Sequence, residues 1–306
     1  MIPVISVADL LTHPKSVGAS IVEAYATLGF SYVVDHPIDL GLQAEVFEMS
    51  RRFHALPESR KRSIEVNRFH RGYVPFASST DRTSTLGEAR KPNLSESFLM
   101  LRELPDNHPD VREGVYLAGP NQWPKEPVGF KEVLTAYNDA MSEFASRVVS
   151  AIDLTLDARG SISDWFTEPT TWLRLLHYPP QDPQAPQDEF GSAPHTDFGA
   201  ITLLAQDDVG GLSVSTPDGH WADVPPVPGA FVMNVGDILS RWSGGRLIST
   251  PHKVTNRSGR ERFSIPFFFD PSMRAPVDLA DPTGQTFGDY VRHHLEGSYD
   301  NHKVTT

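Results

Sequence analysis

APHTDFGAIT, residues 193–202, sets an imidazole (His195) and a carboxylate (Asp197) two residues apart at the entry to an apolar run. On a β-strand successive side chains alternate between faces, so His195 and Asp197 would point together while Thr196 points away. A nitrogen donor and an oxygen donor converging on one point form the beginning of a metal site. The same His-x-acid spacing recurs at His108-Pro109-Asp110 and His294-Leu295-Glu296. His108 sits in LPDNHPD, where prolines and Asn favour a surface turn. His294 belongs to DYVRHHLEG, a terminal helix pattern in which residues two apart do not share a face. Only the middle pair lies on a strand-like segment.

Two protein ligands hold a catalytic metal poorly. The candidate third is His252, in STPHKV (residues 249–254). Two imidazoles and one carboxylate with positions left open is the facial arrangement of non-haem Fe(II) oxygenases, and such a set also serves zinc hydrolases. Residue types alone leave both open. His177, in LLHYP, reads as a hydrogen-bonded core histidine, and His220, after Gly219, as part of a turn.

The surrounding pattern is short β-like runs separated by Pro, Gly and Asp: 172–177, 201–205, 212–215, 230–235, 252–254 and 263–269. Regularly spaced strands of this kind predict a two-sheet jelly roll. Upstream, helical periodicity marks 16–28, 42–56 and 130–152, with short strands at 2–5 and 29–34. The expected fold is mainly β with flanking helices: a double-stranded β-helix (jelly-roll) core wrapped by N-terminal and central α-helices. One catalytic domain would span 1–306, with a helix-rich region (1–160), a core carrying the metal site (161–280) and a C-terminal helix and tail (281–306). Pro179–Ser192 is too proline-rich for helix or central strand and reads as a long loop leading into the His195 strand.

A net charge of −12 repels phosphate backbones and anionic lipid, so neither nucleic acid nor a membrane is an expected partner. With no apolar run long enough to span a bilayer, no basic leader and no cysteine, the expected location is the cytoplasm. Oligomeric state leaves no mark in the sequence. An anionic small molecule must be caught by a local cation. Arg262 and Ser264, in RERFSIPF, share a strand face about ten residues after His252, and a guanidinium beside a hydroxyl is a good receptor for one carboxylate; Arg260 precedes the strand and reads as solvated.

Taken together, PHTDFGAITLLAQDDVGGLSV, NVGDILSRWSGGRLISTPHKV and RERFSIPFFFDP resemble the isopenicillin N synthase-like branch of the Fe(II)/2-oxoglutarate-dependent dioxygenases. IPVISVADL, GFSYVVDHPI, FHALPESRK, RGYVPF, SESF, GPNQWP and LRLLHYPP resemble segments of the same family in the same order, so the resemblance covers nearly the whole chain. It implies His195, Asp197 and His252 as iron ligands, Arg262 with Ser264 as the grip on the distal carboxylate of 2-oxoglutarate, and Tyr178 as a further co-substrate contact. Leu176 stands where many relatives carry Asn, which implies one polar contact fewer near the metal-chelating end. The implied cofactors are Fe(II), 2-oxoglutarate and O2. The implied reaction, typical of specialised metabolism, oxidises an unactivated C–H bond of a small molecule while 2-oxoglutarate becomes succinate and CO2. Alternatives are a 2-oxoglutarate-independent iron oxidase of the same fold and, from another class, a zinc hydrolase. Phe198, Trp242, Phe267 and Phe269 are expected to line an apolar substrate pocket. Arg71, Tyr73 and the segment 80–91 are expected to cover its mouth.

Overall fold

The chain alternates between two sheets through its C-terminal half, and this alternation builds the site. The computed structural model describes residues 1–80, 91–156, 160–186 and 188–298. The strands, in chain order, are β1 Val4–Ser6, β2 Phe30–Val34, β3 Gly72–Val74, β4 Glu96–Leu101, β5 Thr170–Tyr178, β6 Ser192–His195, β7 Ile201–Gln206, β8 Leu212–Ser215, β9 Trp221–Asp223, β10 Phe231–Val235, β11 His252–Val254 and β12 Arg262–Asp270. The helices are α1 Pro14–Tyr25, α2 Leu40–His54, α3 Glu58–Arg62, α4 Pro109–Arg112, α5 Phe130–Asp153, α6 Asp237–Trp242 and α7 Phe287–Ser298. An eight-stranded sheet has the order β1-β2-β10-β7-β12-β5-β4-β3, and a four-stranded sheet the order β6-β11-β8-β9. From β5 to β12 the chain crosses repeatedly between them, which is the jelly roll the strand spacing led us to expect. The region read as helix-rich supplies four strands, β1 to β4, to the large sheet.

The two faces of the large sheet bury different things. On the outer face, α5 places Phe130, Leu134, Tyr137, Met141, Phe144, Val148 and Ile152 at the helical period, all essentially buried. α2 begins at Asp39, whose carboxylate accepts the Leu42 N–H at 2.7 Å and satisfies one free amide of the first turn. Both helices pack on β5 and β12, closing the main core. A smaller apolar cluster, with Phe30, Tyr32, Tyr178, Val214, Val232 and Val254, fills part of the space between the sheets. Within the segment 281–306, read as a C-terminal helix and tail, the helix is α7, and residues 299–306 lie outside the described residues. Among the described residues no helix is long and apolar enough to cross a membrane.

A polar knot sits in the outer layer. Glu96 on β4 accepts from Lys61 Nζ at 2.6 Å and from the Tyr73 hydroxyl, and pairs with His177 Nδ1 at 2.8 Å. His177 is thus the hydrogen-bonded core histidine its context suggested. Beside it the buried His54 imidazole is pushed down to about 3 by burial, against an ordinary value of 6.5. Its depressed folded value makes stability greatest above pH 6.5 and erodes it as pH falls toward 3, because the unfolded chain takes up the proton first. Between pH 6 and 4.5 a His54→Leu variant should lose about 1.4 kcal/mol per pH unit less than the parent. Urea midpoints across that range check this, and equal slopes would show that His54 is protonated in the folded state.

Candidate metal centre

The three ligand candidates meet where the chain leaves the small sheet. β6 and β11 are antiparallel neighbours with His195 opposite His252, and the imidazole centroids lie 4.3 Å apart. Asp197 is not on the strand. β6 ends at His195, and the chain bends toward β7, so Asp197 joins the histidines through the bend rather than through strand alternation. The bend is pinned by its backbone: the N–H groups of Gly236, Asp237 and Ile238 donate to the carbonyls of Ala200, Asp197 and Gly199 at 2.8, 2.8 and 3.0 Å. Gly199 is obligatory here, since a Cβ would sit 1.8 Å from Asp270 Oδ1, the atom that accepts the Ala200 N–H at 2.8 Å.

His195 Nε2 and His252 Nε2 lie 3.8 and 3.7 Å from Asp197 Oδ1. One donor atom from each of the three residues falls within 4.8 Å of the others, a spacing that could hold a metal ion. Every remaining polar atom of the set is spoken for. His195 Nδ1 meets the Ala193 carbonyl at 2.7 Å and His252 Nδ1 the Thr250 carbonyl at 3.2 Å, which leaves both Nε2 atoms facing the common point. Asp197 Oδ2 accepts from the Thr202 hydroxyl and from Asn234 Nδ2 (2.6 Å), so Oδ1 alone is turned inward. Thr202 on β7 and Asn234 on β10 are register partners in the large sheet; that sheet orients the carboxylate while the small sheet supplies the imidazoles.

The protonation states suit metal binding. Burial alone would raise the Asp197 carboxyl, but His252 and His195 beside it and the two hydrogen bonds hold it below the ordinary carboxylate range. Burial, aided by His195, pushes His252 down to about 4, so its nitrogen lone pair is available at neutral pH.

Arg262 lies on β12 opposite Tyr178 and is 0% exposed. Its Nε donates to the Gly210 carbonyl at 2.5 Å, Nη1 to Ser264 Oγ at 3.2 Å and Nη2 to Gln206 Oε1 at 3.2 Å, with the Tyr178 ring 4.6 Å from its central carbon. Among the described residues no carboxylate pairs with it. A guanidinium has five N–H donors, and a buried one without a counter-charge is costly, so this pocket fits an incoming carboxylate. Leu176, opposite Ser264, adds no polar contact. Arg260 is exposed and pairs with Asp208 at 3.1 Å.

The expected substrate-pocket residues divide. Phe198, next to Asp197, is partly exposed and its ring lies 5.8 Å from that of Trp172. Phe267 and Phe269 point the other way, into the main core with the helices, as do Tyr73 and Trp242. Alternation is the reason: Arg262 and Ser264 face inward, so Phe268 faces inward with them and its two neighbours cannot. Trp242 donates Nε1–H to the Pro276 carbonyl at 3.1 Å. Tyr73 spends its hydroxyl on Glu96 and Glu58. Arg71 is a buried tie, donating to the carbonyls of Phe69, Leu117 and Arg102 and to Asn121 Oδ1. Of the segment 80–91, residues 81–90 lie outside the described residues, and Lys91 pairs with Asp188 at 2.9 Å. Sequence reading passed over Thr202, Asn234 and Gln206. Asn234 alone left a trace, as a polar residue inside the apolar run FVMNV.

Comparison with known proteins agrees with this geometry. The family model for the 2OG-Fe(II) oxygenase superfamily matches residues 169–271, and that for the N-terminal region of the non-haem dioxygenase in morphine synthesis matches residues 2–126. A 2-oxoglutarate-Fe(II) type oxidoreductase of Emericella nidulans is 41% identical over 79% of this chain and 70% of its own. Clavatol oxidase of Penicillium crustosum is 32% identical over 97% of this chain and 96% of its own. A 2OG-Fe(II) oxygenase family protein from Caulobacter crescentus superposes with a TM-score of 0.80 at 27% identity, covering 96% of this chain and 98% of that one. A full-length Neurospora crassa protein solved with alpha-KG and thymine gives 0.75 at 27% identity, covering 94% and 91%. The chain belongs to the 2OG-Fe(II) oxygenase superfamily. It is a 2-oxoglutarate-dependent non-haem iron dioxygenase, which resolves the choice between iron and zinc chemistry that residue types left open.

Proposed function

We propose that His195, Asp197 and His252 hold Fe(II), that Arg262 and Ser264 hold the distal carboxylate of 2-oxoglutarate against the Tyr178 ring, and that a small molecule bound beside Phe198 is oxidised at an unactivated C–H bond. The single observation carrying this reading is the convergence of two imidazole Nε2 atoms and Asp197 Oδ1, each with its other polar atom already hydrogen-bonded. Bound iron would supply O2 activation, with 2-oxoglutarate going to succinate and CO2. The chain's part is ligation, orientation and exclusion of water. Gln206 and Ser264 hold the guanidinium; Thr202 and Asn234 hold the carboxylate. Residues 1–306 act as one catalytic unit in this reading, supported by the large sheet drawing strands from both halves of the chain. A reducing cytoplasmic setting accords with the absence of cysteine from the sequence. The Neurospora crassa protein solved with thymine supports a small-molecule substrate.

The test is stoichiometric. Iron-loaded protein given 2-oxoglutarate, O2 and a turned-over substrate should release one succinate per oxidised product, and zinc should not replace iron. Product formed without succinate would sink the co-substrate assignment.

A further inference from the structure

Large-sheet residues facing the small sheet should be covered, yet several on the inner face stay partly exposed: Leu204 and Gln206 on β7, Phe268 on β12, and Arg174 and Leu176 on β5. Their neighbours on the opposite face, Leu173 and Leu175, are fully buried. The partly exposed positions therefore trace an open cleft between the sheets.

Cross-strand register locates this cleft relative to the metal centre. Asn234 and Thr202, which hold Asp197, are partners, Thr202 is partner to Phe268, and Phe268 to Trp172. Trp172 is thus in the same row as the groups that hold the metal-centre carboxylate, and its ring meets Phe198 edge to face. Arg174 is one inward step further along β5, about 7 Å, toward Tyr178 and Arg262. Its Nε donates to Ser97 Oγ at 2.9 Å. Its two terminal nitrogens have no partner among the described residues, and no carboxylate there pairs with it. Among the described residues, the inner face thus carries two guanidiniums without acid partners, Arg262 and Arg174. 2-Oxoglutarate has one distal carboxylate to give.

We infer that Arg174 anchors an anionic group of the substrate, and that the substrate is a small planar aromatic or heteroaromatic acid lying against Phe198 and Phe268. Nε is fixed on Ser97, so the free edge is the Nη1/Nη2 pair, which accepts a carboxylate in bidentate fashion. In a protein of net charge −12 an anion needs such a local cation. Phe198 and Phe268, both partly exposed, offer flat apolar surface beside it, with the buried Trp172 ring backing Phe198, and such a surface suits an aromatic ring. This inference rests on the proposed iron and 2-oxoglutarate sites and adds to them the substrate's chemical class.

The experiment uses the full chain loaded anaerobically with Fe(II) and 2-oxoglutarate, titrated with benzoate, its neutral isostere benzamide and the non-planar cyclohexanecarboxylate, with tryptophan fluorescence and calorimetry as readouts. Benzoate should bind at least about tenfold more tightly than benzamide, as expected for a hydrogen bond to a charged group, and more tightly than cyclohexanecarboxylate. Arg174→Gln should abolish the preference for benzoate over benzamide while leaving 2-oxoglutarate affinity within about twofold, and Arg174→Lys should keep part of it. Should Arg174→Gln fold poorly, Arg174→Lys and the three-ligand comparison on the unaltered protein still decide. Equal binding of benzoate and benzamide overturns the anchor, and equal binding of the two acids overturns the aromatic class. A tenfold loss of 2-oxoglutarate affinity in Arg174→Gln, with benzoate binding unchanged, assigns Arg174 to the co-substrate and also overturns the inference. Failure of the unaltered protein to bind 2-oxoglutarate would instead strike the reading on which this one rests.

Discussion

Asp197→Ala removes iron-dependent turnover while the fold survives. The side chain offers one inward oxygen, 3.8 and 3.7 Å from the two imidazole nitrogens, and alanine leaves two neutral donors that hold a catalytic divalent ion weakly. Loss of an outer-shell partner typically costs 10- to 100-fold in metal affinity or activity; loss of the ligand itself should exceed about 100-fold. The bend should stay in place, because it is held by backbone hydrogen bonds from Gly236, Asp237 and Ile238 and by Asp270 on the Ala200 amide. Iron content, succinate release and the thermal midpoint together check the prediction. Full activity with normal iron would remove Asp197 from the ligand set.

Arg262→Lys raises the KM for 2-oxoglutarate about 10- to 100-fold, the worth of one or two hydrogen bonds to a charged group. Arginine is held in place by Gly210, Ser264 and Gln206 and lies over the Tyr178 ring, leaving N–H donors for a carboxylate. Lysine keeps the charge but presents a compact ammonium that cannot reproduce the fork. At saturating co-substrate kcat should fall much less, because the change lies at the end of the molecule remote from the chemistry. Initial rates against 2-oxoglutarate concentration decide the matter, and an unaltered KM would move the anchor elsewhere.

The two substitutions probe positions legible before any coordinates. His195, Asp197 and His252 stood out by residue type and context, and Arg262 with Ser264 by their shared strand parity. That same parity applied four residues further would have placed Phe268 inward and Phe267 and Phe269 in the main core; reading the aromatic run as one patch concealed it. Arg71 and Tyr73 looked available because a loop-like stretch conceals which carbonyls and carboxylates will surround a side chain. Here Arg71 meets three backbone carbonyls and Tyr73 meets Glu96 and Glu58.

The sequence by itself determined which strand residues share a face, the identity of the donors able to hold a metal, and the presence of a cation for an acidic ligand. Those properties are local, since the period of a strand and the chemistry of a side chain need no distant partner. The tertiary structure decided that Asp197 arrives by a bend, that Thr202 and Asn234 hold its outer oxygen, and that Arg174 shares an open cleft with Phe198 and Phe268. Each depends on register between strands far apart in the chain, and register is fixed only when backbone hydrogen bonds and the packed core bring those strands side by side.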